Sequence, residues 1–283
     1  MLRYLCAMGI FGTIGLFVRW VDLPSSAVAL SRGLLGALAL YALLRLSGDR
    51  LNREAWKRNA LRLFAAGFFL AGNWIFLFEA YSRTSIATAT LLYYMAPVLL
   101  ILLSPVVLRE RLTVLKFVCV LVALVGMALV SGIPGASLEG DLSGIAFGLL
   151  AACFYTGVVL NNKFLKDVPE NDSVIAQLGL ATLLMVPYVF LTEDVSSFSL
   201  DGRGAAALLA LGLIHTALAY RLYFSSIPAI SAQRIALFSF IDPVVAILLS
   251  VFALGEPLSL SGWLGAGFIL GAALVSETVG RKG

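Results

Sequence analysis

Ten stretches of about twenty residues run through this chain almost without a charge, and together they leave little chain over. They fall near residues 2–20, 25–46, 60–81, 85–108, 112–131, 142–162, 173–192, 204–225, 229–253 and 259–278. A helix of that length crosses a hydrocarbon core of about 30 Å, and in lipid every backbone N–H and C=O must be satisfied within the protein. The chain is therefore read as an all-α integral membrane protein of ten transmembrane helices. Composition agrees: of the 283 residues 60% are hydrophobic and 13% charged, and the mean hydropathy is +0.98, the balance of a chain dissolved in lipid rather than water.

Connections such as Tyr81-Ser82-Arg83-Thr84-Ser85 and Arg109-Glu110-Arg111 are short, which predicts antiparallel hairpins with no soluble domain hanging from them. Function must then reside within the membrane. The opening Met1-Leu2-Arg3 resembles the start of a signal peptide, but its apolar run ends in Arg19-Trp20 without a small-x-small cleavage pattern, so it is kept as a helix. Fourteen of the 20 basic residues gather on one side of the ten spans: Arg3; Arg45, Arg50, Arg53, Lys57, Arg58 and Arg62; Arg109, Arg111 and Lys116; Lys163 and Lys166; Arg281 and Lys282. Arg19, Arg83 and Arg203 fall on the other side, and Arg32, Arg221 and Arg234 lie within spans. Since positive residues stay inside, both termini are expected in the cytoplasm. The net charge of +4 is thus a topology signal, with no nucleic-acid footprint. Cys6, Cys119 and Cys153 sit in spans without a C-x-x-C or a histidine cluster; they are expected to be small core hydrophobes, and neither a metal nor another cofactor is indicated.

Sliding the sequence on itself by 146 residues brings TLLYYMAPVLLILLSPVVLRE (90–110) onto ALFSFIDPVVAILLSVFALGE (236–256), with nine of 21 positions identical. Pro97 meets Pro243, Ser104 meets Ser250 and Glu110 meets Glu256. One residue of slip later, Gly126-Met-Ala-Leu-Val-Ser meets Gly271-Ala-Ala-Leu-Val-Ser. The chain thus reads as two five-helix halves, 1–135 and 136–283, in one membrane domain. Because five is odd, the second half enters in the opposite direction, an inverted-topology repeat that commonly belongs to transporters with a site near the midplane.

Ten spans, two apolar helices with a mid-span proline ending in Leu-x-Glu (Leu108-Arg109-Glu110 and Leu254-Gly255-Glu256), and the following Gly-x-Ala-Leu-Val-Ser helix resemble the EamA-type drug/metabolite transporter superfamily. The resemblance covers the whole chain, and within the superfamily it is most like the bacterial amino-acid exporters of the YddG type. It implies a basket of spans 1–4 and 6–9 around a central cavity, with 5 and 10 peripheral, moving small metabolites across the bacterial inner (plasma) membrane without ATP. Independently, the chain has no G-x-x-x-x-G-K-[ST] phosphate loop.

Polar and aromatic residues at membrane depth are the candidate substrate contacts. Asp242, beside Pro243, would attract an ammonium or a proton, or pair with an arginine; Pro97 and Pro243 would bend their helices and free backbone acceptors. Arg32 is the deepest of the intramembrane arginines and suits a carboxylate, whereas Arg221 and Arg234 are near enough to span ends to snorkel. Trp74, Phe78, Tyr94, Tyr155 and Tyr220 would line an aromatic cavity or simply pack. Asn73, Gln177 and His215 could contact substrate or hydrogen-bond across helices. Glu79 and Arg83, spaced i,i+4, read as an ion pair or an external gate. Gly262, Gly265, Gly267 and Gly271 admit close helix contact, within the chain or in a homodimer through spans 5 and 10.

These features fit a secondary transporter exporting small amphipathic metabolites, aromatic or hydrophobic amino acids first, by alternating access. Carriers of phosphorylated or nucleotide-linked sugars, or of drugs, would use arginines more heavily. An intramembrane enzyme is disfavoured: one histidine allows at most one Ser-His pair, and neither G-x-S-x-G nor H-E-x-x-H occurs.

Overall fold

The computed structural model describes residues 1–84, 86–130, 142–255 and 259–279, and its regular structure is helical. In chain order the helices are α1 (Leu2–Gly12), α2 (Ile14–Val18), α3 (Ser25–Leu46), α4 (Arg53–Arg58), α5 (Ala60–Arg83), α6 (Ile86–Tyr93), α7 (Ala96–Val107), α8 (Val114–Val130), α9 (Leu142–Asn162), α10 (Glu170–Thr192), α11 (Gly202–Gly212), α12 (Ala219–Ser226), α13 (Ala232–Phe238), α14 (Ile241–Leu254) and α15 (Leu260–Val279). A π-helical segment, Leu213–Leu218, joins α11 to α12. Seven helical stretches are long and apolar enough to cross a membrane, and three shorter apolar ones, Leu2–Val18, Val114–Val130 and Leu260–Ser276, occupy the remaining expected positions. Large apolar side chains a water-soluble protein would bury, among them Leu38, Phe64, Val106, Leu183 and Phe252, are exposed on these helices and require lipid.

Four of the expected spans are not continuous helices. The first breaks at Thr13, between α1 and α2. The fourth breaks at Tyr94–Met95 and the ninth at Ser239–Phe240. At each of these two breaks one residue tightens to an i→i−3 bond, Met95 N–H to Leu92 C=O (3.1 Å) and Phe240 N–H to Leu237 C=O (3.4 Å). The helix then restarts with the proline in its first turn, Pro97 second in α7 and Pro243 third in α14. There the missing N–H costs nothing and the fixed φ suits a helix start, so proline acts less as a bend than as an initiator. Asp242 shares that first turn, where a carboxylate faces the positive end of the helix dipole. An acid and a proline can therefore share the middle of an apolar run. The eighth span is broken by the π segment, with no proline to mark it.

The internal contacts divide the chain into two compact units, and each draws on both sequence halves. Unit 1 comprises Met1–Ile75 and Asn161–Ala229; unit 2 comprises Phe76–Leu160 and Ile230–Gly283. In unit 1, α3 packs on α10, α11 and the π segment, and α1 on α12. Glycines make this close: a Cβ on Gly36 would meet Thr216 Cγ2 at 2.6 Å, and one on Gly212 would meet Leu35 Cβ at 2.5 Å. In unit 2, α15 lies along α8, and a Cβ on Gly126 would meet the Gly265 carbonyl oxygen at 2.6 Å. Of the glycines expected to permit close contact, Gly265 is therefore used within the chain, while Gly267 and Gly271 have open space around them.

Helix starts follow ordinary capping chemistry. Asn52 accepts from Ala55 N–H (3.0 Å), Asp201 from Gly204 N–H (2.7 Å) and Ser231 from Arg234 N–H (3.4 Å). Glu110 adds a long-range cap: both carboxylate oxygens accept from Ala232 N–H at 3.0 Å, and Gln233 Nε2 donates to the Arg111 carbonyl at 2.6 Å. Cys119 is buried as expected, but Cys6 and Cys153 are exposed, since α1 and α9 turn those positions outward.

Candidate functional site

Two polar and aromatic clusters stand out, one in each unit. In unit 1 the site grows from the broken first span and the π segment. His215 Nε2 lies 2.7 Å from Thr13 Oγ1, and Nδ1 lies 3.2 Å from the Ala210 carbonyl. Thr13 Oγ1 also reaches the Ile10 carbonyl at 2.7 Å, and Phe17 covers the imidazole at 4.8 Å between ring centroids. Two discontinuities are thus tied together by one buried histidine. A π turn widens the helix by one residue and often marks a functional position; here it lets Thr216 turn its hydroxyl back to the Leu211 carbonyl five residues away (2.9 Å).

Proton counting makes this cluster informative. If Thr13 donates to Ile10, Nε2 must carry a proton to reach Thr13, and Nδ1 needs another to reach Ala210. Neutral imidazole carries one N–H, so the neutral ring completes two of the three bonds and only the cation completes all three. Arg32, which acts electrostatically on His215, carries a charge of the same sign as that cation.

Arg32 lies in α3 with its guanidinium carbon 5.4 Å from the centroid of the Trp74 ring, a cation–π contact. Trp74 meets Tyr220 edge-on at 6.2 Å, and Tyr220 meets Phe11 at 5.2 Å. Of the expected site residues, Arg32, Trp74, His215 and Tyr220 are thus gathered in unit 1. Asn73 is buried beside Trp74 in the sequence. Gln177 is also buried in unit 1 but is engaged elsewhere: its amide exchanges two 2.9 Å hydrogen bonds with Asn162 and donates to Ser173 at 2.9 Å, clamping α9 to α10.

The unit 2 cluster is aromatic with one acid. Tyr94 stacks on Phe240 at 5.6 Å, Tyr93 meets Tyr94 and Tyr155 edge-on at 5.7 Å each, and Tyr81 hydrogen-bonds Thr90. Asp242 acts electrostatically on both Tyr81 and Tyr94, so Tyr94, Tyr155 and Asp242 fall into one neighbourhood. Thr156 Oγ1 donates to the carbonyl of Ala96, the residue matching Asp242 in the first repeat, at 3.2 Å. Phe78 is half-buried on α5. Glu79 and Arg83 form their ion pair, Oε2 accepting from Nε at 3.0 Å and Nη2 at 2.9 Å, with the guanidinium over Phe147 at 4.9 Å. Among the described residues no group of three His, Cys, Asp or Glu side chains could hold a metal ion.

Sequence reasoning missed Thr13, Thr90 and Thr182. A threonine inside an apolar run carries no periodic signal, and each of these matters only through a neighbour that folding brings beside it.

The fold and these clusters define a multi-pass membrane protein with broken helices, of the kind that carries solutes. The chain belongs to the EamA-like transporter family, whose model matches residues 1–132 and 142–278. It is 33% identical to the uncharacterized transporter YxxF of Bacillus subtilis over 285 residues, 100% of this chain and 90% of the relative. It is 24% identical to the uncharacterized inner membrane transporter YicL of Salmonella typhimurium, covering 100% of this chain and 96% of that one. A crystal structure of a protein superposes with a TM-score of 0.88 at 21% identity, covering 99% of this chain and 98% of the other, which establishes the likeness of fold.

Proposed function

We propose that this chain is a secondary transporter of the bacterial inner membrane that exports small amphipathic metabolites, aromatic and hydrophobic amino acids first, by alternating access. The observation that carries the reading is the pairing of the two mid-span breaks: residues 146 apart, Tyr94 and Phe240, stack where their helices are interrupted. Ten crossings in two inverted halves, 1–135 and 136–283, are supported by the repeat and by three parallels in the helices that carry it. Each helix breaks just before its proline, restarts on it, and ends on a left-handed residue, Arg109 (φ 57°) or Gly255 (φ 68°), at the middle of Leu-x-Glu. Two such halves supply a bistable element biased by substrate.

In this reading the termini are cytoplasmic. Arg32, Asn73, Trp74, His215 and Tyr220 are the substrate contacts of unit 1, with Gln177 bracing them, and Phe78, Tyr94, Tyr155 and Asp242 are those of unit 2. Glu79–Arg83 is the outer gate. Gly267 and Gly271, with open space beside them, offer a face for self-association.

The test is exchange in proteoliposomes across radiolabelled amino acids, sugar phosphates and organic anions. Saturable counterflow of an amino acid, indifferent to ionophores, is expected. Saturable exchange of sugar phosphates alone would reassign the substrate, and conductance far above carrier rates would replace a carrier with a channel.

A further inference from the structure

Arg32 is a cation within a membrane span that lies over the face of an aromatic ring and, among the described residues, pairs with no carboxylate. Two ion pairs of unit 1, Arg3–Glu170 and Arg58–Asp167, lie among exposed side chains and do not involve it. An intramembrane guanidinium without an anion marks a place where an anion is to be received. A second, independent observation lies beside Gly33, the next residue of α3. Thr182 on α10 is 5% exposed, and its hydroxyl oxygen has no hydrogen-bond partner. That oxygen is the atom nearest the bare face of Gly33: a Cβ there would meet it at 2.8 Å and the Trp74 ring carbon Cζ3 at 3.3 Å. Arg32 and Gly33 are consecutive in α3: the guanidinium of the first lies over the Trp74 face, and the bare face of the second has both the Thr182 hydroxyl and a Trp74 ring carbon for neighbours. Buried polar atoms are almost always satisfied, and one left open calls for a partner from outside the chain.

We propose that Arg32, Thr182 and Trp74 form a carboxylate-binding site that takes an organic acid with an apolar body, recognised by its carboxylate and not by an amine. Arg32 offers its planar fork to the two oxygens, and Thr182 donates its hydroxyl to one of them. Trp74 fixes the guanidinium plane, and Tyr220, edge-on to Trp74 at 6.2 Å, provides an aromatic wall for the body. Gly33 leaves room for the hydroxyl, which any larger residue would displace. The proposal rests on the transport reading and names the chemical end by which the site takes its substrate. Thr182 is the residue it adds.

The experiment is equilibrium binding to the purified full chain in lipid nanodiscs, with three probes sharing one apolar body: L-phenylalanine, 3-phenylpropanoate and 2-phenylethylamine. Both carboxylates are expected to bind at least tenfold more tightly than the amine. Thr182→Val, which keeps the shape and removes the hydroxyl, is expected to weaken both carboxylates about tenfold, the scale of one hydrogen bond to a charged group, and to leave the amine unchanged. Arg32→Gln should abolish the preference, and Arg32→Lys should restore part of it. Thermal unfolding of each variant checks that it is folded. The site is overturned if the amine binds as tightly as the acids, if no probe binds, or if carboxylate affinity survives both Thr182→Val and Arg32→Gln. Saturable transport with unchanged affinities in both variants would remove this site and leave the transport reading standing. Arg32-dependent carboxylate binding without flux would keep the site and remove that reading.

Discussion

Tyr94 and Phe240 stack with ring centroids 5.6 Å apart and planes 22° apart, each in the break of its own helix, at the same position of the two copies of the repeat. The two residues are matched by the internal sequence repeat, and their contact ties the two breaks together within unit 2. Phe240 is fully buried, and Phe240→Ala is expected to cost about 3–5 kcal/mol of unfolding free energy. In a double-mutant cycle with Tyr94→Ala the coupling should be about 0.5–1.5 kcal/mol. Independent, additive effects in a detergent unfolding titration would deny the contact.

Arg109 and Gly255 both end their helices with positive φ, 57° and 68°. Arginine bears a steric cost there that glycine does not, so Arg109→Gly is expected to stabilise by about 1 kcal/mol, and Gly255→Ala to destabilise by a similar amount. Thermal unfolding of both variants reads the two opposite signs.

The glycines of α8 and α15 separate into two kinds. Gly126→Ala and Gly265→Ala each drive a methyl group into the facing carbonyl oxygen and should destabilise by several-fold more than any propensity gain. Gly267→Ala and Gly271→Ala meet nothing within 4 Å and should gain up to about 1 kcal/mol from helix propensity. Equal effects at all four positions, read from thermal unfolding, would contradict the packing.

Thr13→Val removes the hydroxyl shared by His215 and Ile10. A loss of about 1–3 kcal/mol is expected, because a buried imidazole nitrogen is left without its partner. Adding His215→Phe to Thr13→Val should then cost much less than His215→Phe alone. Full additivity of the two would separate the residues.

Glu110→Gln is expected to weaken the cap on α13 by about 0.5–2 kcal/mol, since a neutral amide accepts less strongly from Ala232 N–H than a carboxylate does. Hydrogen exchange at Ala232 is the local readout and should speed up in the variant.

The positions of the seven helical stretches long enough to span, and of the three shorter apolar ones, were legible because length and hydropathy are local properties. The breaks at Tyr94–Met95 and Ser239–Phe240 lie within a few residues of the prolines that announce them. Thr13 and the π turn at Leu213–Leu218 carry no such punctuation, because each break is held by a side chain from elsewhere in the fold. Helix α4 has a local signal, since Asn52 is a favourable cap and Glu54, Lys57 and Arg58 complement the dipole, but six residues in a charged connection are too few for hydropathy to mark. At the site, Arg32, Trp74 and Asp242 were legible as rare residue types at depth. Thr182 and the clamped state of Gln177 were not, since the difference between an open hydroxyl and a fully engaged amide depends on partners that one sequence does not name.

Each unit takes one segment from early in the chain and one from much later, and this sets an order on synthesis. Met1–Ile75 must wait in the bilayer for Ala229 before its unit can close, a delay of about ten to thirty seconds at ribosomal speeds of about 5–20 residues per second. Until α10 and the π segment are made, the face of α3 that will receive them lacks those neighbours. The nascent protein therefore depends on whatever shelters half-assembled membrane helices. A ribosome stalled between the two halves would release a fragment that holds neither unit whole.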